Sequence, residues 1–469
     1  MNNFIRRPMN RRLFLQSLGI AAGGSALGLA ALEGMASAAH KVAAVSPKFD
    51  AYYQLAFTDG WVSMPAQASP IPPFFPDVNA PSGFTTYVMG IRDLTALGDN
   101  PDQILAEKGK AAISGPLMSA HVGDHVGIDL WNLGLASRPD LTDSHTVHWH
   151  GFPNQIAYFD GVPDASLSAP IGQKLTYEYY PQDPGTYMYH CHVEDVEHVH
   201  MGLTGMVLVQ PKVSVQNDLR AQLLKINPNV WKPNEVKFAY NDPNSYYHRE
   251  FALFISEINV HFHWNDQHFQ DNDWTDYNAD FSLFNGRAFP DTVAPPTNPA
   301  AAGGDYARLR YNPHSSVVQG NENERILLRM ANLGFQEHSI LVPGLPLTVI
   351  GRDAKSMLAG RPAYDSNERG GSSVTRADIS NVTNRIDIGP GESRDVVFDV
   401  PLLNRGGKDF LSFPVYDREA GFTTTDPAFV PVERNPGGDG YGGLRTEARL
   451  YEKEHLPVQT KPHQQFDLG

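Results

Sequence analysis

The sequence predicts an all-β protein built from two similar halves. Three observations lead there. The 469 residues include 41 Gly and 36 Pro, a turn-rich composition that suits many short strands. Apolar and polar residues alternate at the two-residue period of a half-buried strand, as in Val126-Gly-Ile-Asp-Leu-Trp-Asn132 and Arg394-Asp-Val-Val-Phe-Asp-Val400. The halves also echo one another. Asn132-Leu-Gly precedes a histidine cluster in the first, and Asn332-Leu-Gly precedes His338 in the second.

Taken in order, the chain opens on an export pattern. Asn10-Arg11-Arg12-Leu13-Phe14-Leu15-Gln16 is followed by a weakly apolar stretch, Leu18 to Leu32, and by Ala36-Ser37-Ala38. This resembles a twin-arginine signal peptide over residues 1–38, cleaved after an A-x-A site. The stretch is Gly/Ala-rich and stops at Glu33, too short for a membrane span. A periplasmic or secreted bacterial protein is expected. Outside the cytoplasm a lone cysteine meets oxidants unless a metal holds it.

Residues 45–212 read as a first β-domain. Its strands flank the Gly123-Asp124 turn, and Thr204-Gly-Met-Val-Leu-Val-Gln210 closes it. Residues 213–244 read as a linker or crossing helix. Residues 245–455 read as a second β-domain, with strands at Phe251–Ser256, Arg325–Asn332 and Arg394–Val400 and a turn at Gly389-Pro-Gly. Residues 293–305 and 436–443 are Pro/Gly-rich loops. The net charge of −15 argues against a nucleic-acid partner, which needs a basic face. No segment of the mature chain reaches the length and apolarity of a span.

The chemistry concentrates around Cys191, the only cysteine, flanked by His190 and His192. A second cluster, His145-Thr-Val-His148-Trp-His150-Gly151, lies upstream. One thiolate with a surplus of imidazoles is a ligand set suited to copper. Side chains alternate faces along a strand. Parity therefore puts His145 and Cys191 on one side, and His148, His150, His190 and His192 on the other. One strand would connect two metal sites through a single residue. A mononuclear blue site needs a second His and a weak axial group. His198 and His200 are the candidates for the first, and Leu203, Met201 and Met206 for the second. His121, His125, His248 and His314 lack such company and read as ordinary strand or surface histidines.

These motifs resemble those of the multicopper oxidases, laccase-like proteins of cupredoxin fold. His145-x-x-His148-x-His150-Gly is similar to the family's H-x-x-H-x-H-G. His190-Cys191-His192 with His198-x-x-x-Gly202-Leu203 is similar to its H-C-H and H-x-x-x-G-[M/L]. Phe159-Asp160-Gly161-Val-Pro is like a D-G-x-P stretch near the oxygen site. The resemblance implies two cupredoxin-like Greek-key β-barrel or sandwich domains. It implies type 1 copper on His145, Cys191 and His198, with Leu203 axial and non-coordinating. It further implies a type 2/type 3 cluster on His148, His150, His190 and His192, and proton delivery by Asp160. The activity implied is one-electron oxidation of phenols, aromatic amines or metal ions, coupled to reduction of oxygen to water.

Two departures qualify this. Five residues, Val193 to Glu197, separate the H-C-H from His198, where the family usually has three. The second domain also lacks ligands. Its counterpart stretch reads His338-x-x-Leu341-x-Pro343-Gly344, and the H-C-H strand reads Tyr416-Asp417-Arg418. That domain is expected to be metal-free, so one chain carries half a trinuclear site. A homo-oligomer is expected to complete it, two first domains presenting eight histidines, with His261-Phe-His263 more a surface or interface feature than a donor. Glu194, Asp195 and Glu197 read as a solvated acidic loop, or more sharply as a dock for Fe(II), Cu(I) or Mn(II). A copper nitrite reductase is the nearest rival. That family, however, carries Asp where His148 stands and a small residue where His192 stands. A non-catalytic copper-binding protein is the other.

Overall fold

The structure, a computed structural model, describes residues 49–65, 79–152, 155–298, 303–304, 306–358, 377–418 and 443–466. The signal expected at 1–38 lies outside the described residues, as do most of the 436–443 loop and part of 293–305.

The first half has eight strands: β1 (Ala51–Ser63), β2 (Thr85–Asp93), β3 (Met118–His121), β4 (Val126–Asn132), β5 (His148–His150), β6 (Lys174–Tyr179), β7 (Gly185–His190) and β8 (Thr204–Gln210). They form two sheets, in order β2-β1-β4-β6 and β3-β8-β7-β5. Alternate residues of both sheets meet in one apolar core that includes Phe57, Ile128, Leu130, Tyr177 and Val207. Trp149 stacks on Tyr179 with ring centres 4.1 Å apart. Cys191 and Leu203 belong to this same core.

A short ribbon, β9 (Lys237–Phe238) and β10 (Tyr246–Tyr247), leads into the second half. There follow β11 (Arg249–Ile258), β12 (Phe281–Phe284), β13 (Val318–Asn321), β14 (Arg325–Asn332), β15 (His338–Leu341), β16 (Leu347–Arg352), β17 (Lys355–Ser356), β18 (Asn381–Thr383), β19 (Arg385–Ile388), β20 (Ser393–Asp399), β21 (Phe410–Asp417) and β22 (Arg445–Tyr451). One sheet runs β12-β11-β14-β20-β16-β17, with β18 on β16, and the other β13-β22-β21-β15-β19.

The topology repeats between halves. The parallel pair β1–β4 corresponds to β11–β14, and antiparallel β4–β6 to β14–β20. Likewise β3-β8-β7-β5 corresponds to β13-β22-β21-β15. The Asn-Leu-Gly echo is one turn used twice. Asn132 Oδ1 accepts from Gly134 N at 2.9 Å, and Asn332 Oδ1 from Gly334 N at 2.8 Å. The paired amide nitrogens tie the turn to Ala169 O and Ile388 O.

Four helices join the strands among the described residues: α1 (Pro101–Leu105), α2 (Asp195–Met201), α3 (Gln216–Ile226) and α4 (Val260–Gln267). The connection at 213–244 thus contains a helix, α3, which buries Leu219 and Leu223 against Phe238 and Tyr246. The second half runs past the expected boundary at 455. His463 Nδ1 accepts from Ala252 N at 3.1 Å, and Phe466 N donates to Gln319. These backbone bonds give the tail a fixed course.

The halves meet at an apolar seam, Met188, Met206 and Leu208 against Ala252, Phe254, Ala331 and Leu333. Beside it Arg329, fully buried, pairs with Glu250 at 3.2 Å and Asp395 at 3.5 Å, as a buried charge requires. No helix among the described residues is long and apolar enough to cross a membrane.

Candidate metal centre

Strand β7 is buried throughout and ends at His190, so Cys191 emerges at the rim of the core. His148 on β5 lies opposite His190. His145 stands outside β5, fixed by a bridge to Ala169. The stretch expected as an acidic loop is instead helix α2. Glu194, in the left-handed region at φ 46°, starts it, and Gly202 at φ 114° ends it. A Cβ on Gly202 would stand 2.6 Å from Ile113 Cγ2 and 2.8 Å from Met89 O, so only glycine fits. Asp195 and Glu197 in the first turn favour that helix end electrostatically. The two extra residues of spacing are absorbed by this turn.

Helix phase separates the two histidine candidates. His198 turns inward, with Nδ1 3.4 Å from Cys191 Sγ, and His145 Nδ1 lies 3.6 Å from the same sulfur. His200 turns to the second half, its ring 4.6 Å from that of His263. Leu203 is buried beside the trio, and its carbonyl accepts from Cys191 N at 3.1 Å. Met201 shares that core, whereas Met206 lies in the inter-half seam.

The donors fit a metal. Metal–N and metal–S bonds of about 2.0 and 2.3 Å, 120° apart, would set donors roughly 3.7 Å from each other. Burial pushes the Cys191 thiol up to about 11, and a bound cation reverses that by holding the thiolate. Burial lowers His198 to about 4 and holds His145 well below its ordinary value. Both imidazoles therefore present neutral lone pairs.

Across the strand, the rings of His190 and His192 each lie 5.2 Å from that of His148, and His150 lies 5.7 Å from His190. His148, His150 and His190 each bring a nitrogen within 4.8 Å of the others, while His192 is half-exposed at the edge. His148 Nδ1 donates to the Asp160 carbonyl at 2.5 Å, and His190 Nδ1 to the Cys191 carbonyl at 2.7 Å. Each bond fixes the tautomer and leaves Nε2 for a metal. Asp160 thus acts mainly through its backbone; its carboxylate lies 3.9 Å from the same nitrogen. Burial lowers His190 to about 3, and lowers His148 and His150 as well. The second half reaches this face at Gly391, where an added Cβ would stand 3.3 Å from His150 Nε2.

In the second half the corresponding position holds charges. His338 Nδ1 meets Asp417 Oδ2 at 2.5 Å, and its Nε2 meets Glu257 Oε1 at 3.0 Å. Asp417 stands on β21 where Cys191 follows β7. Glu257 also accepts from Phe335 N, Gln336 N and the Tyr277 hydroxyl. The missing ligands at Leu341 and Pro343 were legible in the sequence, but this ion cluster was not. Asp143 was missed too. Asp143, Glu194 and His198 offer donor atoms within 4.8 Å of one another near the surface. A lone acid among many gives no signal for that.

The remaining histidines have other partners. His125 pairs with Glu178 at 2.8 Å, His248 with the Trp231 carbonyl at 2.7 Å, and His121 lies 3.6 Å from Asp124. His263 is buried at the boundary between halves, donating from Nδ1 to the Tyr87 carbonyl at 2.5 Å, while His261 is exposed.

Comparison with known proteins agrees with this geometry. Residues 98–214 match the family model of the multicopper oxidases. Over 94 residues the chain is 35% identical to ceruloplasmin of Mus musculus, a match covering 20% of this chain and 8% of ceruloplasmin. Over 101 residues it is 32% identical to the copper-containing nitrite reductase of Neisseria meningitidis serogroup A, covering 21% of this chain and 24% of that one. The chain thus matches under a quarter of the length of either relative. The blue copper oxidase of Nitrosomonas europaea shares the fold, with a TM-score of 0.52 and 19% identity over 85% of both chains. Mostly β, with a cupredoxin architecture in two halves and a match over residues 98–214 that spans His145, Cys191 and His198, the chain is similar to the multicopper oxidases.

Proposed function

We propose that the chain is a copper oxidase that draws single electrons from a reductant at His145, Cys191 and His198. His148, His150, His190 and His192 would hold the copper at which oxygen is reduced. The observation that carries this is the position of Cys191 between the two groups. Copper, when bound, supplies the one-electron chemistry and the oxygen binding. The chain's residues do the rest. His190 and His192 are covalent neighbours of Cys191, so the route between sites is a few bonds long. Leu203 supplies no fourth donor, which favours a high reduction potential. The Asp160 carbonyl fixes the His148 tautomer, and its carboxylate, 3.9 Å from the same ring, is proposed to pass on protons, since oxygen takes up four electrons and four protons to give two waters.

Four imidazoles are half of the cluster the family uses, and the second half answers with Leu341, Pro343, Tyr416 and Arg418. A second copy of the chain is proposed to complete it. The twin-arginine pattern supports export of the folded chain and work outside the cytoplasm. The test is one sample measured three ways: copper per chain, light scattering and oxygen uptake. A multimer with more than one copper per chain that consumes oxygen is expected. A monomer with one copper, all of it blue, and no oxygen uptake sinks the reading. Similarity to a nitrite reductase keeps nitrite as a second acceptor, decided by nitrite turnover with a small electron donor.

The acidic pair beside His198 favours a cationic reductant, because Asp143 and Glu194 focus negative potential at that ligand. Replacing both, Asp143→Asn with Glu194→Gln, is expected to raise the KM for Fe(II) about tenfold and leave that for a neutral phenol unchanged. Equal effects on both substrates in steady-state assays would count against a metal-ion substrate.

A further inference from the structure

A second cluster of metal-binding side chains lies between the halves, and the Cys191 centre does not use it. His200 on α2 and His263 on α4 are 4% and 0% exposed. Their rings stand 4.6 Å apart at 73°. Both ring nitrogens of His200 and Nε2 of His263 have no hydrogen-bond partner of ordinary geometry among the described residues. Unpaired polar atoms at this depth are costly, and three of them on two facing rings point to a guest.

The surroundings say which guest. A small cavity is lined by His200, His263, Met201, Thr204, Ser114 and Glu257, among others. His263 donates from Nδ1 to the Tyr87 carbonyl, which leaves the Nε2 lone pair for a metal, the second-shell arrangement of a metal-binding imidazole. An ion about 2.0 Å from one nitrogen of each ring lies roughly 3.1 Å from each ring centre. At the observed ring separation it would see the two imidazoles about 95° apart, within the range of four-coordinate sites. Met201 lines the same cavity as well as the core beside Cys191, which puts a thioether-bearing residue at its wall. The Glu257 carboxylate is engaged by His338 and Tyr277 and contributes negative potential rather than a free donor. Imidazoles with a thioether and no free carboxylate form a soft set, which selects monovalent copper over harder divalent ions.

We propose that His200, His263 and Met201 form a buried site for a single cuprous ion, separate from the Cys191 centre. Two ligands come from the first half and one from the second. The ion therefore joins the halves, and binding stabilises their packed arrangement.

The test uses the full chain, stripped of metal and titrated anaerobically with Cu(I) against a chromophoric Cu(I) chelator. Silver(I) serves as a redox-silent stand-in in thermal unfolding. His263→Leu is expected to bind one Cu(I) fewer per chain than the wild type, while the blue band formed on reoxidation is unchanged. Silver(I) is expected to raise the unfolding temperature of the wild type more than that of the variant. Equal Cu(I) counts with equal silver(I) stabilisation would overturn the proposal and assign the cavity to water. Should His263→Leu fail to fold, the near-isosteric Met201→Leu decides. About tenfold weaker retention of one Cu(I) supports the site, and unchanged retention overturns it.

Discussion

Replacing Cys191 with serine is expected to bleach the copper-loaded protein, remove one copper per chain and take oxygen consumption to background. The sulfur is the one donor shared by His145 and His198, at 3.6 and 3.4 Å. A serine hydroxyl is a hard, protonated donor and leaves a two-imidazole remnant. The change also cuts the shortest route to His190 and His192. The fold should survive, because the side chain is small and its neighbours in the core are apolar. Copper on His148, His150 and His190 should remain, since their nitrogens face the other side. Visible spectroscopy and a copper count on one sample separate loss of the site from loss of the protein. A variant that keeps its blue band would show that the sulfur is not a ligand.

The largest effect on stability is expected at Asp417. Asp417→Asn removes one of the two carboxylates that hold His338 in a site with no exposure on either partner. Breaking a buried pair in this way costs about 3–5 kcal/mol, read as a lower denaturant midpoint. The pH dependence gives a second check. Burial alone would lower the His338 pKa, but hydrogen bonds and charge from Asp417 and Glu257 outweigh it and raise it to about 9. A group raised above its unfolded value of about 6.5 contributes fully below that pH. The contribution disappears as pH rises through about 9. Wild-type stability is therefore expected to fall between about pH 6.5 and 9, and the variant to show a flatter profile. An unchanged midpoint with an unchanged profile would mean that the cluster is not holding a charged imidazole.

The first-half candidates were legible because strand parity is a hard geometric rule. Parity assigns His148, His150 and His190 to one face and Cys191 to the other, and the structure groups the three histidines together and Cys191 with His145 and His198. Parity stops where strand stops. The choice between His198 and His200 depended on a helix of seven residues, and the run of acids that opens it reads as loop in the sequence. Asn-Leu-Gly was visible as an echo, but the shared topology behind it needed the pairing of strands. The His338 cluster draws its two carboxylates from positions 79 and 81 residues away, so no local pattern announces it. The same holds for His263, which the sequence showed only as one end of an H-x-H.

Burial of the thiol also bears on the life of the protein before copper reaches it. With its pKa at about 11, the sulfur is protonated in every physiological compartment. The thiolate is the species that attacks disulfides and peroxides. A chain that has not yet met its metal therefore keeps this sulfur as a buried thiol, slow to react with oxidants until a cation takes the place of its proton.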